Sequence, residues 1–193
     1  SAIKGMCEHL VLDDFQSQVA DIKELAEKYE LELLAMESDA EMRANVMQLL
    51  EQSALISTNK LKFFRLAFGS AGGFGEAVPP HEAKVAIEGM FAGSGRVKVG
   101  WMVDEQMLGK LAAKILLNLA LIAGDALVRG GQLDIGAESR PGVTEIVVRA
   151  EGPKLVLDPD LRAALAGTLP IEGLASRTAA AWMVRQLVME AGG

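Results

Sequence analysis

Phe15, Val19, Ile22, Ala26, Tyr29, Leu33 and Met36 recur at alternating steps of four and three. That spacing places them along one stripe of an α-helix, and a stripe of this kind must be buried. After a break at Glu37-Ser38-Asp39 the stepping resumes through Met42, Val46, Leu49, Ser53, Ile56, Lys60, Phe63 and Ala67. Ser38 or Asp39 supplies the N-cap of this second helix. Two helices of matching period joined by a very short turn lie antiparallel, so a hairpin is expected over roughly Asp14 to Phe68. At about 1.5 Å per residue each arm is roughly 30 to 45 Å long, and two helices alone do not close a core. The leading expectation is a four-helix bundle made by two copies of the chain, and the alternative is a two-helix wrapper over the chain's own globular part. Met6 to Leu12 either extends the first helix or precedes an N-cap at Asp13-Asp14.

Four glycines between Gly69 and Gly75 end the hairpin, and Pro79-Pro80 starts a second unit. Pro80, His81 and Glu82 open a helix that runs to Gly93. From Arg96 to Met102 apolar and polar residues alternate, the period of a strand. Glu105 to Leu127 has no breaker and carries Leu108, Leu111, Ile115, Leu116, Leu119 and Ile122, a buried helix that stops at Arg129-Gly130-Gly131. Gln132 to Ala137 and Thr144 to Ala150 alternate as two antiparallel strands joined through Ser139-Arg140-Pro141-Gly142. Pro159 to Ala166 and Ser176 to Ala191 close the order as helices. The fold class is therefore α+β, with helices over one face of a small sheet after the long hairpin.

Composition narrows the function more than the fold. Half of the 193 residues are hydrophobic, enough for real cores, and the net charge of -7 with no run of basic residues argues against a nucleic-acid surface. The single cysteine, Cys7, forms no internal disulfide and is too little for a cysteine metal site, which points weakly to the cytoplasm. The longest apolar run, Ile115 to Ala123, is about half the length a membrane span needs and contains Asn118, so no membrane association is expected. Histidine chemistry is limited to His9 and His81.

A long hairpin followed by this α/β order resembles the dimerisation and ATP-binding halves of a sensor histidine kinase. In that family the second helix of the catalytic half carries Asn-Leu-x-x-Asn-Ala before a Gly-Gly, and its second Asn holds Mg²⁺. Here Asn118-Leu119-Ala120-Leu121-Ile122-Ala123 precedes Gly130-Gly131, so Ile122 stands at the metal position, where a hard cation finds no oxygen. The family's adenine-reading Asp-x-Gly-x-Gly falls on Ala150-Glu151-Gly152-Pro153-Lys154, and alanine accepts no hydrogen bond. The glycine-rich phosphate lid is reduced to Gly173-Leu174-Ala175-Ser176. Three degraded nucleotide elements on a retained apolar skeleton resemble the ChpT-type histidine phosphotransferases, dimeric phosphorelay carriers built on a kinase-like fold without nucleotide. Leu31-Glu32-Leu33-Leu34, Lys62-Phe63-Phe64-Arg65-Leu66-Ala67-Phe68-Gly69 and Ala150-Glu151-Gly152-Pro153 carry the likeness beside the Asn118 segment. That family usually continues with two more strands after a final Gly-Gly, here Gly192-Gly193, so the expectation is either that the sequence is cut short or that the last hairpin is absent, which would leave a sheet edge open.

The resemblance implies a dimerisation and phosphotransfer hairpin over residues 1–70 and a degenerate ATPase-like α/β domain over residues 76–193. It implies a homodimer that exchanges phosphoryl groups with response-regulator and hybrid-kinase receiver domains. It is then a histidine phosphocarrier, not an ATP-dependent kinase, with no cofactor of its own and Mg²⁺ supplied on the receiver. The family's acceptor lies in Cys-His-Asp-x-x-Ser-Pro, about fourteen residues before Leu-Glu-Leu-Leu, and an ungapped count puts Gln18 there. The remaining candidate is His9, after Cys7-Glu8, with Asp13 at i+4 to orient the imidazole. A surface histidine near a chain end is the plain alternative, and a receiver-binding scaffold that has lost its phosphoacceptor is the alternative function. Trp101 and Trp182 read as core aromatics, Lys60 as a snorkelling side chain, and Arg65 as a brace between the hairpin and the second domain.

Overall fold

The computed structural model describes residues 40–69 and 77–193. The first arm of the expected hairpin and its turn lie outside the described residues, as do Cys7, His9, Asp13 and Gln18. The stretch expected as the second arm is α1 (Ala40–Phe68), followed by β1 (Ala77–Val78), α2 (Pro80–Ala92), β2 (Val97–Val103), β3 (Leu108–Gly109) and α3 (Lys110–Asp125). Then come β4 (Gly131–Arg140), β5 (Val143–Glu151), α4 (Pro159–Ala166), a 3-10 turn at Ile171–Gly173, and α5 (Ser176–Glu190).

Local chemistry sets most of these boundaries. α1 runs through 29 residues without Gly or Pro, with Glu41 in its first turn and Arg65 in its last, the arrangement the helix dipole favours. Pro80 opens α2 at a position whose N–H has no helical partner to lose. In α4, Pro159 follows an Asp158 cap whose carboxylate accepts from the Asp160 amide at 2.8 Å, and Gly167 ends the helix at φ +73.

The buried helix starts later than its periodicity predicts, at Lys110 instead of Glu105. Leu108 and Gly109 are drawn instead into an antiparallel pair with Val78 and Ala77, and Leu108 is wholly buried there. Apolar spacing alone does not distinguish a buried strand residue from the first turn of a helix.

β2 and β4 are parallel, joined across the sheet by α3, and β4 and β5 form an antiparallel hairpin, giving the order β2-β4-β5. Both hairpin strands are longer than the alternation predicts, because pairing continues through Glu138↔Glu145, Ser139↔Thr144 and Arg140↔Val143. Those side chains stand beyond the core, so the apolar signal fades while the backbone ladder persists. The connection shrinks to Pro141-Gly142, with Gly142 at φ +82, as a Pro-Gly turn of type II requires.

Register sorts the two faces. Val99, Leu133 and Ala150 form one inward row, Trp101, Ile135 and Val148 the next, and Val103, Ala137 and Ile146 a third, all packed into the core. Lys98, Glu138, Glu145 and Arg149 point to the exposed face, so helices cover one side of the sheet as expected.

α1 joins this core at its foot. Phe63, Ala67 and Phe68 are buried with Ile87, Leu116 and Leu117. Two small residues let α2 approach: a Cβ on Gly89 would lie 3.1 Å from Asn59, and one on Gly93 would lie 3.2 Å from Ile56. Farther up, Val46 is buried, but Met42 and Leu49 of the same stripe remain 49% and 57% exposed.

Asp125 ends α3 with its carboxyl pushed above the ordinary carboxylate value of 3.8 by burial, while Lys60 of α1 pulls it down. A raised folded-state value means that ionisation opposes folding above it, and that the penalty disappears as the pH falls to the unfolded value. The residue keeps exposed surface, so the effect is small. Asp125→Asn is expected to raise the melting temperature at pH 7 by no more than about 2 °C, with the gain vanishing near pH 3.5, as thermal melts across that range would show.

Candidate functional site

The structure brings Ile122 and Ala150 into one groove. Ile122 reaches it from α3 and Ala150 from β5, and Leu157 and Leu165 complete its wall in a volume of about 660 Å³. Neither the Ile122 nor the Ala150 side chain offers an oxygen, so these side chains do not fit an Mg²⁺-nucleotide, whose metal and adenine each require a polar partner.

Asn118 has a structural task. Asn118 is fully buried, and its Nδ2 donates to Ala67 O at 3.1 Å and to Lys114 O at 2.8 Å. The first bond holds a carbonyl in the last turn of α1, where no further helix turn satisfies it. Its Oδ1 has no partner among the described residues and is shut away from solvent. Asn118 thus bolts α1 to α3, while Arg65, which the sequence suggests as a brace, is exposed and lines the notch between α1 and α2.

The retained glycines also have packing reasons. Gly130 and Gly131 sit at φ +78 and +148, and a Cβ on them would come within 2.4 Å of Arg96 O and 2.2 Å of Glu151 O. Only glycine lets β4 begin between the ends of β2 and β5. After Gly173 the chain makes a compact turn closed by Thr178, whose Oγ1 accepts from the Ala175 amide at 3.0 Å.

His81 stands exposed in the first turn of α2, where it lines a notch of about 300 Å³ with Asn59, Lys62 and Arg65 of α1. Residues 16 to 22 positions apart in sequence meet here because α1 packs beside α2, a proximity that no local pattern announces. Trp101 lies on the inward row and Trp182 on α5, both partly buried against the core. Lys60 is half-buried near the foot of α1. Among the described residues no three acidic, histidine or cysteine side chains converge as a metal site. None of the described helices is long and apolar enough to cross a membrane.

The architecture is α+β, a long helix docked on an α/β layer that carries an apolar groove. Residues 80–193 match the family description "Histidine phosphotransferase C-terminal domain". The protein phosphotransferase ChpT of Brucella abortus (strain 2308) is 30% identical over 149 residues, 77% of this chain and 70% of that protein. A solved structure of a bacterial phosphotransferase superposes with a TM-score of 0.78 at 25% identity, covering 100% of this chain and 88% of the other. The chain belongs to the ChpT-type histidine phosphotransferase family.

Proposed function

We propose that the protein is a cytoplasmic, homodimeric phosphorelay carrier that accepts a phosphoryl group from one receiver domain and delivers it to another without using ATP. The observation that carries this reading is the pairing of Ile122 with Ala150 in one groove, which leaves family membership without the polar contacts a nucleotide needs. Self-association is supported by the exposed stripe of Met42 and Leu49, which a second hairpin would cover.

In this reading a neutral His9 imidazole attacks the phosphorus of a receiver's aspartyl phosphate in line. The P–N bond forms as the P–O bond to the aspartyl carboxylate breaks, and the aspartate leaves as its carboxylate. Asp13, four residues on, accepts a hydrogen bond from the other ring nitrogen and holds the tautomer that attacks. Mg²⁺ on the receiver neutralises the phosphoryl oxygens, and reversal against a second receiver completes the relay. Gln18 at the ungapped acceptor position favours a second reading, a scaffold that binds receivers without phosphoryl chemistry.

Incubation with a phosphorylated receiver, followed by acid and alkali treatment of the labelled chain, tests both. Alkali-stable, acid-labile label that disappears in His9→Ala and survives in His81→Ala is the expected result. Label surviving in His9→Ala removes His9 from the mechanism, and complex formation without label selects the scaffold.

A further inference from the structure

The groove between α3, β5 and α4 is not merely a nucleotide site with its contacts removed. Eleven of its twelve lining residues are apolar, and the twelfth is Arg162. Its volume of about 660 Å³ is open to solvent along one side, a groove and not an enclosed cavity. At and beside its rim Leu155 and Val156 each stand 50% exposed, so the apolar surface continues out of the groove instead of being sealed by a polar edge.

Charge narrows the occupant. No acidic residue lines the groove, and Arg162 has no ion pair among the described residues. The nearby Arg177 is already engaged by Asp158 and Asp160. One unpaired guanidinium beside an aliphatic wall complements one anionic head on an apolar body. A nucleotide reverses that balance, with several charges and a base whose polar edge would find no partner on Ile122, Val148 or Ala150.

We infer that this groove binds a single-chain amphiphile with one anionic headgroup, of the fatty-acid class, its carboxylate on Arg162 and its chain along Ile122, Val148 and Leu157. This site is independent of the phosphoryl chemistry proposed above and is tested without a receiver.

Titration of the full chain with dodecanoate, followed by calorimetry and by the methyl resonances of the isoleucines, reads the site. Saturable binding that shifts Ile122 and Ile146 while leaving Ile56 and Ile87 unmoved is expected. Dodecanol, which keeps the chain but lacks the charge, and the exposed variant Arg162→Gln should each show about tenfold weaker affinity. Absence of saturable binding, shifts outside the groove, or equal affinity of dodecanoate for both proteins would overturn the assignment. Dodecanol binding as tightly as dodecanoate would overturn the headgroup contact and leave the apolar wall to a protein partner.

Discussion

Asn118→Asp is expected to destabilise the fold by roughly 3 to 5 kcal/mol at neutral pH, as read from the urea midpoint. The substitution replaces the donor that holds Ala67 O and Lys114 O with an oxygen, so two acceptors would face a carboxylate in a fully buried site. An unpaired buried charge of this kind is better protonated, which raises its folded-state pKa. The penalty is therefore fully present above that raised value and eases as the pH falls through it, because a protonated acid again donates a hydrogen bond. Asn118→Leu removes the donor and also the unpartnered Oδ1, leaving Ala67 O as the group that loses its partner. Its cost should be smaller, about 1 to 3 kcal/mol. If the two variants were equally stable at pH 7, the bolt between α1 and α3 would be a geometric coincidence.

Phe63→Ala should cost a comparable amount, about 3 to 5 kcal/mol, because its ring is wholly buried where α1 enters the common core. The ring also packs edge-on against Phe64 at 5.7 Å and 83°, and Phe64 stacks on Phe68, so the cavity would loosen an aromatic ladder and not a single contact. Leu61→Ala, two residues away but 49% exposed, is the matched control and should change stability by about 0.5 kcal/mol or less. Equal losses at the two positions would mean that the foot of α1 is held by something other than the core described above.

These two variants fall where sequence reading succeeded least evenly. The apolar stripe of α1 is legible from spacing alone, but spacing does not reveal which part of the stripe the α/β domain covers. Phe63 and Ala67 are buried by that domain, whereas Met42 and Leu49 on the same face are not. Boundaries written in side-chain and backbone chemistry, such as Pro80 opening α2 and Asp158-Pro159 opening α4, appear where they are expected. The start of α3 does not, because Leu108 belongs to a two-residue ladder whose partner, Val78, lies thirty residues away. Strand ends were obscured for a different reason: beyond Ala137 the ladder runs through polar residues that carry no burial signal.

The site shows the same division. Ile122 and Ala150 are recognisable one by one as residues whose side chains offer no oxygen, and the structure adds that they share a groove. Asn118 is conspicuous as a polar residue in an apolar run, yet its hydrogen bond to Ala67, 51 residues away, follows only from the docking of α1. The meeting of Lys62, Arg65 and His81 in one notch has no local signature either.

The source of the phosphoryl group tests the whole account most directly. Two parallel incubations of the chain, one with γ-labelled ATP and Mg²⁺ and one with a labelled phospho-receiver, should leave label on the protein only in the second. Label acquired from ATP alone would mean that a groove walled by Ile122 and Ala150 still presents a nucleotide to an acceptor, and the account would fail at its centre.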